Sequence, residues 1–212
     1  MPTPQAPDLN TEHVELSIHK SYFEKTEMIR NSTTEYGTFS KVMHWLMAIV
    51  IIGLIAVGIY MADLPRDTDE QKQFMFQLYG MHKSFGVVAL LLIAVRLVWL
   101  KISPNPSLPA VFQGKERLLI EGLKKLLYLL MILLPLSGYL MSNAGGHPIM
   151  FFGLFELPAV IGESKAFGGF VHEMHEIGGW IILFVVLAHV AGALKHRLLE
   201  KGSERDILQR ML

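Results

Sequence analysis

An all-α integral membrane protein built as a four-helix bundle is the fold class this sequence predicts, on three observations. The chain is 51% hydrophobic and 18% charged, with a mean hydropathy of +0.38; at 212 residues it is one domain long and too apolar for an ordinary soluble domain. Four stretches, about 42–62, 80–100, 120–142 and 174–197, approach the ~20 apolar residues that cross a bilayer. The basic residues gather in alternate connections, as they do in a multi-pass chain.

Span 1 follows Lys20, Lys25, Arg30 and Lys41. Span 2 is separated from span 3 by Lys101, Lys115, Arg117, Lys124 and Lys125, and span 4 is followed by Lys195, Arg197, Lys201, Arg205 and Arg210. The long connection 143–173 carries only Lys165. The positive-inside rule therefore places both termini and the middle connection in the cytoplasm, with loops 63–79 and 143–173 on the other side. Span 3 contains Pro135, tolerated in a membrane helix where neighbours satisfy the freed backbone groups, and a kink is expected there. The greasy run Pro148–Pro158 is too short to span and is read as an outer interfacial or re-entrant segment. Residues 1–35 lack the basic-then-apolar pattern of a secretory signal and are expected to be a polar, flexible cytoplasmic extension; residues 36–212 form the bundle domain.

Composition excludes several chemistries. With no cysteine there is no disulfide, no thiolate iron–sulfur cluster and no covalent c-type haem attachment. Nineteen basic residues balance nineteen acidic ones, so charge gives no ground for a nucleic-acid partner.

The histidines carry the chemical signal, because ionisable groups inside a bilayer are costly and mark function. His44 begins span 1 at the inner face, and His82 begins span 2 at the outer face. On span 4, His175 and His189 lie fourteen residues apart, nearly four turns, so they share a face about 21 Å apart along the axis. Matching depths pairs His82 with His175 near the outer surface and His44 with His189 near the cytoplasm. That gives two bis-histidine sites of the kind that hold haem iron for electron transfer. The residues four positions on from these histidines are Ala48, Gly86, Gly179 and Ala193, leaving room for a flat macrocycle, although small residues also serve plain helix packing. A single histidine near a helix end is ordinarily an interfacial hydrogen-bonding group, so the argument rests on four at matched depth and phase. His172 competes with His175 but points about 100° off the face shared with His189. Met43, Met81 and Met174 precede three of the ligands and cannot reach the same iron from the same side.

Other charged groups are assigned by depth. Arg96, late in span 2, is read either as a contact to the carboxylates of the inner haem or as a side chain snorkelling to headgroups. Lys195 and His196, at the inner end of span 4, are read as propionate or quinone contacts or as a solvated terminus. Lys83, next to His82, is placed to bind outer haem carboxylates or to draw a small anion inward.

FSKVMHWLMAI, MHKSFGVVALLLIAVRLVWL, LLPLSGYLMSNAGGHPIMFFG and HEMHEIGGWIILFVVLAHVAGALKHRLLEKG resemble the bacterial cytochrome b561 family, which is related to the cytochrome b subunits of nickel–iron hydrogenases. The resemblance covers about 36–212. It implies a multi-pass protein of the bacterial inner membrane with two haem b groups, and His44, His82, His175 and His189 as the axial ligands. It further implies electron transfer between an outer-face one-electron donor and ubiquinone. That donor is superoxide, oxidised to oxygen and steered by Lys83 and Lys165, or a periplasmic redox donor. The competing expectation is an anchor and relay subunit for a hydrogenase or dehydrogenase.

Overall fold

The computed structural model describes residues 29–212; the expectation for residues 1–28 lies outside the described residues. Four long helices follow one another: α1 (Thr38–Ala62), α2 (Asp69–Ile102), α3 (Gly114–Ala144) and α4 (Lys165–Leu199). Strands β1 (Ile149–Phe151) and β2 (Phe155–Leu157) lie between α3 and α4, and a 3-10 turn, Gln209–Met211, closes the chain.

α1 shows how sequence becomes packing. Ser40, Met43 and Met47 are buried along one seam, while Val42, Ile49, Ile52 and Ile59 are exposed. Apolar side chains that face outward all along a long helix are suited to hydrocarbon, and an exposed apolar surface of this extent marks a membrane-facing molecule. α1, α2 and α4 are each long and apolar enough to cross a bilayer. The third expected span lies within α3, which is not one of these three helices. Its first twelve residues carry Lys115, Glu116, Arg117, Glu121, Lys124 and Lys125, and the helix runs unbroken through Pro135.

Two elements depart from the expectation. Loop 63–79 is largely helical, because α2 begins at Asp69 under a capping box in which Thr68 and Gln71 satisfy each other's backbone N–H. α2 therefore starts thirteen residues before His82, about 20 Å of helix. The fold is also not purely helical, since the greasy run after His147 forms an antiparallel hairpin with Ile149 opposite Leu157 and Phe151 opposite Phe155. The reason is local: Phe152 (φ 49°) and Gly153 (φ 73°) both take positive φ at the turn, a combination that closes tight hairpins. Ser84 of α2 docks the hairpin, donating to Met150 O at 3.2 Å and accepting from Phe152 N at 2.9 Å.

Neighbouring helices run antiparallel. Gly58 of α1 faces His82 of α2, while Ser40 of α1 accepts from Trp99 of α2 at 2.9 Å. On α3 and α4, Gly138 faces His175 and Gly178 faces Leu134. A Cβ on Gly178 would lie 2.7 Å from Leu134 Cδ2, so this glycine sets how closely the two helices approach. The middle of the bundle is apolar: Met43, Met47 and Ile93 form one cluster, and Leu130, Ile182 and Val185 another.

At the end holding Ser40, the described start and end of the chain meet. Asn31 bonds to Ser103 Oγ and Pro104 O, Ser107 N donates to Thr33 O at 3.1 Å, and Arg210 donates to Thr34 O and Ser107 O. Residues 29–35, assigned by sequence to the extension, are thus hydrogen-bonded to the α2–α3 connection and the C-terminal turn.

Candidate functional site

α2 and α4 bring His82 and His175 together, their ring centroids 6.3 Å apart. α1 and α4 do the same for His44 and His189, at 6.2 Å. All four side chains are partly buried. With metal–imidazole bonds of about 2 Å and the ring centre about 1 Å behind each nitrogen, two imidazoles sharing one metal stand about 6 Å apart centre to centre. Both pairs have that separation without touching.

The His82–His175 pair opens on a cavity of about 500 Å³ whose lining includes His82, His175, Gly58, Gly86, Gly138 and Gly179, a size suited to a cofactor. Its glycines divide into two kinds. A Cβ on Gly86 or Gly179 would meet nothing within 4 Å, so these positions border open space. A Cβ on Gly58 would lie 3.3 Å from His82 Cε1, and one on Gly138 3.1 Å from His175 Cε1, so these two make room for the imidazoles themselves. Sequence reasoning found the first two by their offset from the ligands. It missed Gly58 and Gly138, whose only signal is small size on helices that must first be docked.

Hydrogen bonding fixes the state of His175. Ser137 donates its hydroxyl proton to Leu134 O at 2.8 Å, and His175 Nδ1 lies 2.9 Å from Ser137 Oγ and 3.1 Å from Leu134 O. Two oxygens, one of them a carbonyl, require a proton on Nδ1. Nε2 then keeps the lone pair a metal needs. Ser137 was not singled out from sequence; it follows Pro135 by two residues, and only the α3–α4 contact shows its partner. Nδ1 of His82, by contrast, is buried with no hydrogen-bond partner among the described residues. Buried polar atoms are seldom left so, and a metal on Nε2 would not satisfy this nitrogen. The donor set, the spacing and the glycine-lined cavity fit a haem.

The remaining sequence candidates fall in three places. Lys83 lines this cavity together with His172, Asp63, Arg66 and Glu176. Lys165 is exposed at the first turn of α4, about 15 Å of helix from His175. Arg96 is buried, donating from Nε to Tyr128 Oη at 2.9 Å and from Nη1 to Ser40 O at 3.4 Å, which is an inward orientation and not the snorkelling alternative. Lys195 is exposed. His196 is buried beside the fully buried Phe112 ring, with Nδ1 2.6 Å from Glu200 Oε2 and Nε2 3.9 Å from Glu116 Oε1, so both of its nitrogens face carboxylates. Its hydrogen bond is the main reason the Glu200 carboxyl sits below the usual range.

The comparisons agree with this geometry. The prokaryotic cytochrome b561 family matches residues 35–212. Cytochrome b561 homolog 2 of Escherichia coli (strain K12) is 32% identical over 182 residues, covering 86% of this chain and 93% of that protein. The chain belongs to the prokaryotic cytochrome b561 family, a family of membrane electron-transfer proteins that bind haem b.

Proposed function

We propose that this chain passes electrons one at a time from a donor at the outer face, superoxide or a periplasmic redox protein, to ubiquinone, through two b haems. His82 and His175 hold the outer haem, and His44 and His189 the inner one. The observation that carries this reading is the pair of histidine–histidine separations, 6.3 and 6.2 Å, at opposite ends of one bundle. A b haem held by two histidines would supply a reversible one-electron carrier suited to electron transfer. The balance for superoxide is two anions giving two oxygen molecules and two electrons, with ubiquinone taking two electrons and two protons to become the quinol.

Each residue has a task in this scheme. His175, held by Ser137 and Leu134 O, presents Nε2 to the site. Lys83, inside the outer cavity, attracts an anion towards His82 and His175, and the exposed Lys165 extends that field outward. Asp63 and Glu176 in the same lining oppose it, so Lys83 provides the local positive charge closest in sequence to a ligand. At the inner end Lys195 is exposed and available to a quinone, whereas His196 faces Glu200 at the end of its own helix and Glu116 on α3. The bundle sits in the bacterial inner membrane with both termini in the cytoplasm, supported by the basic residues crowding the end where residues 29–37 and the C-terminus meet.

Stopped-flow spectroscopy of the purified protein tests the scheme. Superoxide should reduce the haem and ubiquinone should reoxidise it. Lys83→Gln should slow the first step several-fold, with a weaker dependence on ionic strength, and leave the second unchanged. Reduction that requires a copurifying dehydrogenase or hydrogenase subunit would instead make the chain a relay.

A further inference from the structure

Burying a guanidinium is costly unless an anion accompanies it, and among the described residues Arg96 has no carboxylate partner. It is 9% exposed, and its partners are a phenol and a backbone carbonyl. Among the described residues no carboxylate lies within ion-pair distance of Arg96, Lys124 or Arg210, whereas Arg117, Arg197 and Arg205 each have one. The three unpaired cations converge. Arg96 reaches the carbonyl of Ser40, one turn before His44 on α1. Lys124 lies one turn before Tyr128 on α3, the phenol that accepts from Arg96, and is within electrostatic range of Glu121 as well as of Arg96, Arg210 and His189. Arg210 is drawn over the Tyr36 ring at 5.5 Å and held there by Thr34 O and Ser107 O. Glu121 is the acidic group nearest Lys124 in sequence, and it is engaged by Arg117 at 2.8 Å.

We infer that Arg96, Lys124 and Arg210 form an anion site at the inner end of the bundle that receives the carboxylates of the haem carried by His44 and His189. The proposal rests on the two-haem reading above and adds to it a cation supplied by the C-terminal turn. Of these three, sequence depth pointed only to Arg96; Lys124 and Arg210 join only through the fold. Positive charge here favours the reduced iron, which carries one positive charge fewer, so the cluster raises the inner potential.

The test is a redox titration of the haem-loaded full chain, with the inner component assigned as the one lost in His44→Ala/His189→Ala. Arg96→Gln should lower the inner midpoint by about 59 mV, a tenfold change in the one-electron equilibrium constant, and leave the outer midpoint in place. Lys124→Gln and Arg210→Gln should lower it by smaller amounts, and Arg96→Lys should restore most of the loss. The last three variants stand in if Arg96→Gln does not fold. An unchanged inner midpoint, or an equal fall in both components, would overturn the proposal. The titrations are run in phosphatidylcholine bilayers and again with phosphatidylglycerol added. A variant effect that vanishes in phosphatidylcholine alone would assign the anion to the headgroup of an anionic lipid and also overturn it. A single component in the unaltered chain would refute the two-haem reading itself, a different outcome.

Discussion

Ser137 is the residue on which the His82–His175 site turns, because its hydroxyl and the Leu134 carbonyl together fix the proton of His175 on Nδ1. Groups that orient a ligating histidine are typically worth about 10–100-fold in metal affinity. Ser137→Ala should therefore speed the loss of one haem to apomyoglobin by about that factor while the other is retained. Gly179 tests the space beside the same ligand. It borders the cavity with nothing within 4 Å of a Cβ, so Gly179→Leu should fill the space a macrocycle needs. Haem content should fall from two per chain to one, with helicity by circular dichroism unchanged. The four histidines were legible in the sequence because intramembrane ionisable groups are rare and a fourteen-residue spacing returns to one helix face. Ser137, Gly58 and Gly138 were not, because their partners lie on other helices.

Elements were legible where local chemistry decided them, and missed where it was read too coarsely. The apolar runs disclosed α1, α2 and α4. The Thr68–Gln71 capping box was present in the sequence but hidden by the charged composition of residues 63–79, and so α2 begins in what was read as a loop. The β1–β2 hairpin depends on positive φ at Phe152 as well as Gly153, and a phenylalanine gives no such signal. The C-terminal turn is an element whose stability has a defined pH dependence. Burial raises the Asp206 carboxyl, but Arg197 at 2.7 Å and the N–H groups of Gly202 and Gln209 outweigh it, so it lies below its ordinary 3.8. A carboxyl with a lower folded pKa contributes its stability in full above the unfolded value, and loses it as pH falls through the folded one. Amide exchange of residues 202–211 should thus show no change in docking free energy from this group between pH 7 and 5, and progressive loss below about 3.8. Arg197→Gln should shrink that loss, because the folded carboxyl then lies closer to its ordinary 3.8.

At the scale of the whole molecule, the bundle keeps two histidine pairs apart with an apolar middle. Met43, Met47 and Ile93 pack on one side, and Leu130, Ile182 and Val185 on the other. Such a middle leaves the two ends as separate electrostatic environments, one opening on the cavity that holds Lys83 and one closed by residues 29–37 and the C-terminal turn. Separate environments are what give two like cofactors different potentials. The pairing of depths was legible from the alternation of basic connections, whereas the closure of the inner end came from hydrogen bonds between segments up to 176 residues apart. Haem quantitation on purified protein as the pyridine haemochrome distinguishes two histidine-held haems from one. Two haems per unaltered chain are expected, one in His82→Ala/His175→Ala, one in His44→Ala/His189→Ala, and two in His172→Ala. One haem in the unaltered chain, or loss of haem on His172→Ala with the double variants still loaded, would contradict it.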